Sequence, residues 1–449
     1  MLWRGVVRAA RPAAQRRRIA STGLATVRPT PATKPVRGAP RLPFWILSLD
    51  GGGVRGALSA TILARIVARY PRLLSHHVEL IAGTSAGGLL GLLLASGYTP
   101  LECRDIYVQA AKDIFTQTST GAFTSRTWFP GVLQAKHSSA ALKAMLTTYL
   151  GDRRFDDLKH YTLITSFRVD GMPSSHALHE GPRDPRDDAK KGWRPAVFSN
   201  LPFVEGVAHP DDDLLCVEAG MRTSAAPVFL PIHDGYADGA LFAANPSLVA
   251  ATKALAHFPG LRRADMRVLS LGAGCWPTKI ETSDKTGDWG ISQWAPHLLA
   301  LLLDSNSLST ELLTTFLLGS ARGIHRIDPV FAEAIAIDDV EAVPRLVQLG
   351  EEMDLSATFA FLDRELSAPS RPFHGLDEDH HPEAEPYAKA FSKPAEIGED
   401  YHDDEAEPYA KAFSRPFSNE AGEDSYHDAW YQTTLLNNWD RAGRRPQGP

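Results

Sequence analysis

The serine in the segment Gly83-Thr-Ser85-Ala-Gly87 has the surroundings of a catalytic group. The segment fits the pattern G-x-S-x-G, the nucleophile elbow, in which a sharp strand-to-helix turn exposes the serine hydroxyl. Such a turn needs small neighbours because the serine backbone is strained, and glycine and alanine supply them here. The pattern also occurs by chance, and the simpler interpretation is a serine that caps a helix N-terminus. Because a strand pattern precedes the segment and a helix pattern follows it, we predict that Ser85 is a nucleophile.

A second segment, Asp50-Gly-Gly-Gly-Val-Arg-Gly56, could bind an anion through its backbone. Consecutive glycines lack side chains, so their N–H groups can converge on a phosphate or on a developing oxyanion. Three of the glycines also fit the dinucleotide fingerprint G-x-G-x-x-G. That interpretation needs an acidic residue at the end of the next strand, which ends instead at Ile81-Ala-Gly83. The oxyanion interpretation is therefore favoured, with Arg55 as a compensating charge nearby.

A serine nucleophile needs a base, and two candidates lie close together in the sequence. Asp238 begins the segment Asp238-Gly-Ala240, which taken alone suggests an Asx turn. His233 would complete a Ser-His-Asp set, although it lies in a turn-like Pro-Ile-His-Asp-Gly stretch. An aspartate can also serve directly if burial raises its basicity and holds it on the serine hydroxyl. The residues alone leave both arrangements open.

These segments lie at the junctions of alternating strands and helices. Apolar runs predict strands at 44–49, 78–82, 161–169, 196–199 and 266–271. Apolar residues at helical spacing predict helices at 57–70, 86–96, 100–112, 138–150 and 298–319, with one or two more within 332–366. Asp238 is expected in a tight, Gly-flanked turn. This alternation predicts an α/β fold with a mostly parallel sheet covered on both faces.

The two ends of the chain differ in charge from its middle. Of the 449 residues, the first 49 contain nine Arg, one Lys and no Asp or Glu. We therefore predict that residues 1–43 are a mitochondrial transit peptide with a linker; the alternative destination is cytoplasmic. Residues 367–449 are predicted to be an acidic, repeat-containing, disordered tail. Residues 44–366 then form one catalytic domain, and no apolar run reaches the ~18 residues of a bilayer span.

The three segments in combination resemble the patatin-like phospholipase family. The family pattern is a D-G-G-G-x-R-G loop, a G-x-S-x-G elbow and a D-G-[GA] aspartate, which 50–56, 83–87 and 238–240 match in the same order. The resemblance covers about 44–250, and Gly323–Pro329 with the following helices extends it to about 366. The chain departs from the pattern at Ala240, where glycine is frequent, and at Ala244, where asparagine is frequent.

The resemblance implies a patatin-like three-layer fold and a Ser–Asp dyad that works without histidine. Carried over by motif, Ser85 is the expected nucleophile and Asp238 the expected base. The expected oxyanion loop consists of Gly51, Gly52, Gly53 and Arg55. The family hydrolyses acyl esters of lipids independently of calcium, so neither a metal nor a cofactor is expected.

The predicted function is a phospholipase A-like or lysophospholipase-like acyl hydrolase acting on glycerophospholipids. An acyltransferase or a neutral-lipid lipase would use the same dyad, and a non-catalytic nucleotide- or lipid-binding module is a remote alternative. The expected partner is an acyl lipid at a membrane surface, bound by peripheral contact. No nucleic acid is expected, because no basic or aromatic platform follows the basic head.

Overall fold

The computed structural model describes residues 41–116, 134–172, 192–202, 211–277, 279–280, 288–319, 323–367 and 371–372. Apart from 41–43, 367 and 371–372, the predicted transit peptide with its linker and the predicted acidic tail lie outside these ranges. Within them, no helix combines the length and the apolar character needed to cross a bilayer.

The described elements alternate along the chain as the sequence pattern predicts. The strands are β1 Arg41–Leu42, β2 Phe44–Leu49, β3 Val78–Gly83, β4 Tyr161–Arg168, β5 Arg194–Ser199, β6 Tyr236–Asp238, β7 Met266–Leu271, β8 Ile324–Ile327 and β9 Arg371–Pro372. The α-helices are α1 Gly56–Arg69, α2 Ser85–Ala95, α3 Pro100–Thr116, α4 Ala140–Leu150, α5 Cys216–Thr223, α6 Ala240–Ala243, α7 Ser247–His257, α8 Ile291–Leu318, α9 Val343–Glu352 and α10 Ser356–Leu366.

The central sheet is mostly parallel, which confirms the predicted fold class. Its strand order is β5-β4-β3-β2-β7-β8, and β6 also pairs with β4. The four pairs from β4 to β8 through β3, β2 and β7 are parallel. The edge strands β5 and β6 run antiparallel to β4. A separate antiparallel pair joins β1 to β9.

Helices cover both faces of the sheet, and the alternating side chains of β2 show this directly. Leu47 and Leu49 point into a core with α1, α2, α3 and α4. Phe44 and Ile46 point into a second core with α7 and the end of α8. Because strand side chains alternate between faces, a central strand buried on both sides is mostly apolar. This explains why Phe44–Leu49 is apolar at every position except Ser48.

The structure differs from the sequence prediction at several elements around the site. The expectation that Asp238 lies in a tight turn is wrong, because Asp238 ends β6 and pairs in register with Ser166 of β4. A strand of three residues is too short to show an alternating pattern. The helix predicted at 298–319 begins earlier, at Ile291, and α7 was not predicted.

Candidate active site

Ser85 lies in a sharp turn between β3 and α2. Its φ angle is 53°, a left-handed conformation that is strained for a residue with a side chain. A Cβ atom at Gly83 would lie 2.3 Å from the Gly87 carbonyl oxygen. A Cβ atom at Gly87 would lie 2.2 Å from the Leu49 carbonyl oxygen. Both flanking glycines are therefore required, because strand and helix backbones come too close for any side chain.

Asp238 faces Ser85 from the end of β6. The Ser85 side chain lies close enough to the Asp238 carboxylate to act on its pKa, and Asp238 Oδ1 accepts the backbone N–H of Ala240 at 2.8 Å. Asp238 is buried, and burial raises the pKa of its carboxyl group to about 7, against the opposing effects of Ser85 and of the Ala240 N–H. A group with this pKa exchanges its proton near neutral pH.

Gly239 allows β6 to come this close to β4. A Cβ atom at Gly239 would lie 2.2 Å from Thr165 Oγ1. The Thr165 hydroxyl pairs with Thr84 Oγ1 at 2.7 Å, next to Ser85. The glycine after Asp238 therefore brings the carboxylate against the turn that carries the serine.

The structure places His233 away from this pair. Its Nε2 lies 2.7 Å from Glu218 Oε2 and 3.8 Å from Asp234 Oδ2. In the part of the chain that the structure describes, no histidine ring hydrogen-bonds to Ser85 or to Asp238. The Ser-His-Asp arrangement through His233 is therefore not formed.

His233, Glu218 and Asp234 are also the set of described residues best placed to hold a metal ion, since their ligand atoms lie within 4.8 Å of one another. However, Arg222 lies 3.3 Å from Asp234, and Lys143 lies 3.7 Å from Glu218. These cations already balance the two carboxylates. The cluster is explained by ion pairing without a metal.

The glycine loop after β2 packs directly against Ser85. A Cβ atom at Gly51 would lie 3.1 Å from the Ser85 Cβ atom. The Gly51 N–H donates to the Ala244 carbonyl at 3.1 Å, so that donor is occupied. Within the described residues, the N–H groups of Gly52 and Gly53 have no hydrogen-bond acceptor. The donors available to an anion in this loop are therefore those of Gly52 and Gly53.

Arg55 binds the loop instead of pairing with a carboxylate. Its Nη1 donates to the Gly274 carbonyl at 2.8 Å and its Nε to the Gly52 carbonyl at 3.3 Å. Its guanidinium lies over the Trp276 ring, 5.4 Å from the centroid. Burial lowers the pKa of Arg55, while nearby acids oppose the shift. The side chain joins the glycine loop to the segment that follows β7.

Asp50, at the start of the loop, is held by an arginine that sequence patterns did not indicate. Arg326 Nη2 lies 2.6 Å from Asp50 Oδ2 and 2.9 Å from Asp328 Oδ2. Burial raises the pKa of Asp50 to about 7, and the Arg326 charge opposes that rise. Asp328 in turn accepts the Gly274 N–H at 2.9 Å. The ion pair therefore anchors the loop to β8.

Comparisons with known proteins agree with this arrangement. Residues 47–251 match the family model described as Patatin-like phospholipase. These residues are a patatin-like phospholipase domain. The match includes the glycine loop, the Ser85 turn and Asp238. It excludes Arg326, so part of the loop support lies beyond the domain as the family model defines it.

Curated relatives align with more than half of this chain. A cGAMP-activated phospholipase of Pseudomonas aeruginosa is 27% identical over 281 residues, which cover 62% of this chain and 76% of that protein. Patatin-like protein 2 of Arabidopsis thaliana is 26% identical over 357 residues, or 69% and 82% of the two chains. The family assignment supports a lipid acyl hydrolase.

Among solved structures, VipD from Legionella pneumophila resembles the chain with a TM-score of 0.34 and 12% identity. The similarity covers 75% of this chain and 68% of that one. It is too distant for residues or functions to be transferred.

Sequence reasoning did not identify several residues that hold the patatin-like site together. Thr223, the last residue of α5, accepts the Ser85 N–H at its Oγ1, 2.8 Å away. Ala244 N donates to Asn306 Oδ1 of α8 at 3.0 Å, so α8 supports the carbonyl that occupies the Gly51 N–H. The signal for Arg326 was its position in Gly323–Pro329, which the family resemblance included without a role.

Proposed function

We propose that the chain is a calcium-independent serine acyl hydrolase that cleaves fatty-acyl esters of glycerophospholipids, as phospholipases A and lysophospholipases do. In this proposal Ser85 is the nucleophile and Asp238 the general base. The observation that carries it is the proximity of a strained, half-buried Ser85 to a buried Asp238 whose pKa is raised to about 7.

In the first half-reaction, Ser85 Oγ attacks the ester carbonyl carbon while Asp238 takes the hydroxyl proton. The carbonyl oxygen becomes an oxyanion, which the N–H groups of Gly52 and Gly53 stabilise. When the C–O bond to the glycerol oxygen breaks, Asp238 returns the proton to that leaving oxygen. The result is an acyl-Ser85 intermediate and a free lysolipid.

In the second half-reaction, water attacks the acyl-Ser85 carbonyl and Asp238 takes its proton. Collapse of the intermediate returns the proton to Ser85 Oγ and releases the fatty acid. The base and the oxyanion donors both belong to the chain, so none of these steps requires a calcium ion. A base with a pKa near 7 is strong enough to act and still deprotonated for much of the time at neutral pH.

Peripheral membrane contact is part of the same proposal, and one face of α8 supports it. Large apolar side chains lie there at helical spacing and are at least 38% exposed. They are Ile291, Trp294, Leu298, Leu301, Leu302, Leu308, Leu312, Leu313 and Phe316. Exposed apolar patches of this kind often bind partners or lipid surfaces. Leu308→Glu with Phe316→Glu should reduce sedimentation with phosphatidylcholine vesicles, whereas Leu101→Glu, an exposed leucine on α3, should not.

The proposed activity is tested by labelling with a fluorophosphonate and by hydrolysis of a lipid panel. Wild type should be labelled and should release fatty acid in the presence of a chelator. Ser85→Ala should abolish both signals, because it removes the attacking oxygen. Asp238→Asn should greatly reduce both, because it removes the base.

Ser75→Ala is the matched control, since Ser75 is an exposed serine that hydrogen-bonds to His76 Nδ1 at 2.7 Å. It should behave as wild type. Full labelling and fatty-acid release by Ser85→Ala would contradict the proposal. Transfer of the acyl group to an added lysolipid or alcohol, in preference to water, would identify an acyltransferase using the same residues.

A further inference from the structure

Asp338, between β8 and α9, forms a largely buried charged cluster with Lys136 and His137. Its carboxylate pairs with Lys136 Nζ and lies 2.8 Å from His137 Nε2. The Asp338 and His137 side chains are both less than a tenth exposed. The pKa of Asp338 is lowered: burial would raise it, but the hydrogen bonds from Lys136 and His137 outweigh that effect. The cluster is therefore charged and hydrogen-bonded, which makes its geometry specific.

One side of the cluster supports the glycine loop. The residue before Asp338 is Ile337, whose carbonyl accepts the Val54 N–H at 2.8 Å. The same carbonyl oxygen lies 2.0 Å from the position that a Cβ atom of Gly53 would occupy. Gly53 has a φ of 58°. Ile337 is therefore the surface against which Gly53 rests in its left-handed conformation.

The other side of the cluster supports Asp238. The Lys136 N–H donates to the Val228 carbonyl at 2.8 Å, and the His137 N–H donates to the Phe229 carbonyl at 2.9 Å. Ala225, a few residues earlier in the same segment, accepts the Asp238 N–H at 2.9 Å. Residues 136–137 are thus bonded to the segment that fixes the backbone of Asp238.

We propose that Asp338 is a positioning residue that sets the oxyanion loop against the Ser85–Asp238 pair. Through Ile337 it holds the loop, and through Lys136 and His137 it holds the segment behind Asp238. This role rests on the proposed function. Asp338 lies outside the residues 47–251 that the family model matches. The segment that contains Asp338 contributes no reacting atom, but in this proposal it supports the reaction.

A positioning role predicts a loss in turnover, not in substrate binding. The loop must place its N–H groups where the oxyanion develops, and this contact is strongest in the transition state. A displacement of the loop should therefore lower kcat and leave KM nearly unchanged. A residue that supports only the overall fold would lower the amount of active enzyme or its stability, with the kcat of the folded fraction preserved.

The experiment compares Asp338→Asn with Asp339→Asn in the full chain. Asn has the shape of Asp but not its charge, so Asp338→Asn weakens the contacts with both Lys136 and His137. Asp339 is the matched control, because it is the adjacent aspartate and, among the residues that the structure describes, its side chain accepts only the Ala342 N–H at the start of a 3-10 turn. Active-site titration with a fluorophosphonate normalises each rate to folded enzyme.

Asp338→Asn should lower kcat on a phosphatidylcholine substrate by about 10- to 100-fold, with KM within about threefold of wild type. The rate of fluorophosphonate labelling should fall in parallel, because phosphonylation also places charge on the oxyanion donors. Lys136→Met, at a side chain that is 44% exposed, should show a smaller fall of the same kind. Asp339→Asn should match wild type.

If Asp338→Asn does not fold, Lys136→Met decides the question alone. Folded variants with wild-type kcat and labelling rate would overturn the positioning role and leave the proposed function intact. So would a change confined to KM. A wild-type chain that neither labels nor hydrolyses lipid would overturn the proposed function, and the positioning role with it.

Discussion

The backbone N–H of Ser85 donates a hydrogen bond to Thr223 Oγ1 at 2.8 Å. This bond crosses from the start of α2 to the end of α5 and holds the serine in its left-handed conformation. It also commits the Ser85 N–H, so that donor is not available to an oxyanion. The Gly51 N–H is likewise occupied, by the Ala244 carbonyl. Among the described residues, the glycine loop therefore retains the N–H groups of Gly52 and Gly53 as donors.

Thr223→Val should reduce both stability and turnover. Thr223 is fully buried, and valine has a similar shape but offers no acceptor to the Ser85 N–H. An unsatisfied buried N–H costs about 1–3 kcal/mol, and the serine loses the bond that opposes its backbone strain. Urea unfolding and the fluorophosphonate labelling rate measure the two effects. Thr223→Ser retains the acceptor and should label at nearly the wild-type rate; equal defects in both variants would contradict this account.

Gly53→Ala should abolish activity, and Gly151→Ala is its matched control. Both glycines have positive φ angles, 58° and 59°, which strain the backbone of any residue with a side chain. They differ in space: a Cβ atom at Gly53 would lie 2.0 Å from the Ile337 carbonyl oxygen, whereas Gly151 has nothing within 4 Å. Lipid hydrolysis normalised to folded protein should therefore separate them. Normal turnover in Gly53→Ala would contradict the role of the loop.

The residues to which we assign the chemistry could be located in the sequence because their signals are local. The Ser85 turn needs glycines next to it in sequence, and the glycine loop needs them in succession, so both appear as short patterns between a strand and a helix. The parallel strands β2, β3, β4 and β7 were also predictable, because a strand buried on both faces is mostly apolar. The parallel strand β8 was not predicted, since it contains His325 and Arg326. Asp238 was recognised by its motif, although its three-residue strand was not.

The supporting residues could not be predicted because their partners are remote in sequence. Arg326 lies 276 residues from Asp50, and an arginine in a short strand carries no mark of the carboxylate it will meet. The hydrogen bond from the Gly51 N–H to the Ala244 carbonyl depends on the path of the backbone at Ala244, and no side-chain type reveals that path. Both facts follow from tertiary packing alone.

Arg326→Met should destabilise the protein by about 3–5 kcal/mol, because it removes the cation from a buried group of acids. Asp50 and Asp328 pair with Arg326 directly, and Glu311 lies 3.7 Å away. The pKa of Arg326 is raised, since these acids more than offset its burial. Arg326→Lys should recover part of the loss. Urea denaturation at neutral pH is the measurement.

The control for Arg326 is Arg345→Met, which removes a pair with Glu333 at 3.3 Å between side chains that are 50% and 76% exposed. Exposed pairs contribute less than about 1 kcal/mol. Losses of similar size at Arg326 and Arg345 would show that the buried cluster does not anchor the glycine loop.

The kcat/KM of the proposed reaction should rise with pH through about 7. Burial raises the pKa of Asp238 to about 7, and only its deprotonated form can accept the Ser85 proton. Well below this pKa, activity should fall about tenfold per pH unit. Asp50 has a pKa raised to about 7 as well, so the profile of Asp50→Asn must be recorded. If the rise in kcat/KM near pH 7 persists in Asp50→Asn, it belongs to Asp238. A kcat/KM that does not change between about pH 5 and 8 would exclude Asp238 as the base.

The same raised pKa predicts that Asp238→Asn stabilises the protein at high pH. Between the ordinary value of 3.8 and about 7, the folded chain retains the Asp238 proton while the unfolded chain has released it. The stability that wild type gains from the protonated carboxyl is therefore present below about pH 4 and is lost as the pH rises through 7.

Asparagine stays neutral and can still accept the Ala240 N–H, so it avoids this loss. The unfolding free energy of Asp238→Asn should exceed that of wild type by at most about 4 kcal/mol above pH 7, and the difference should shrink towards pH 4. Urea unfolding of both proteins at several pH values measures it. A difference that does not change with pH would mean that Asp238 has the same pKa in the folded and unfolded chains.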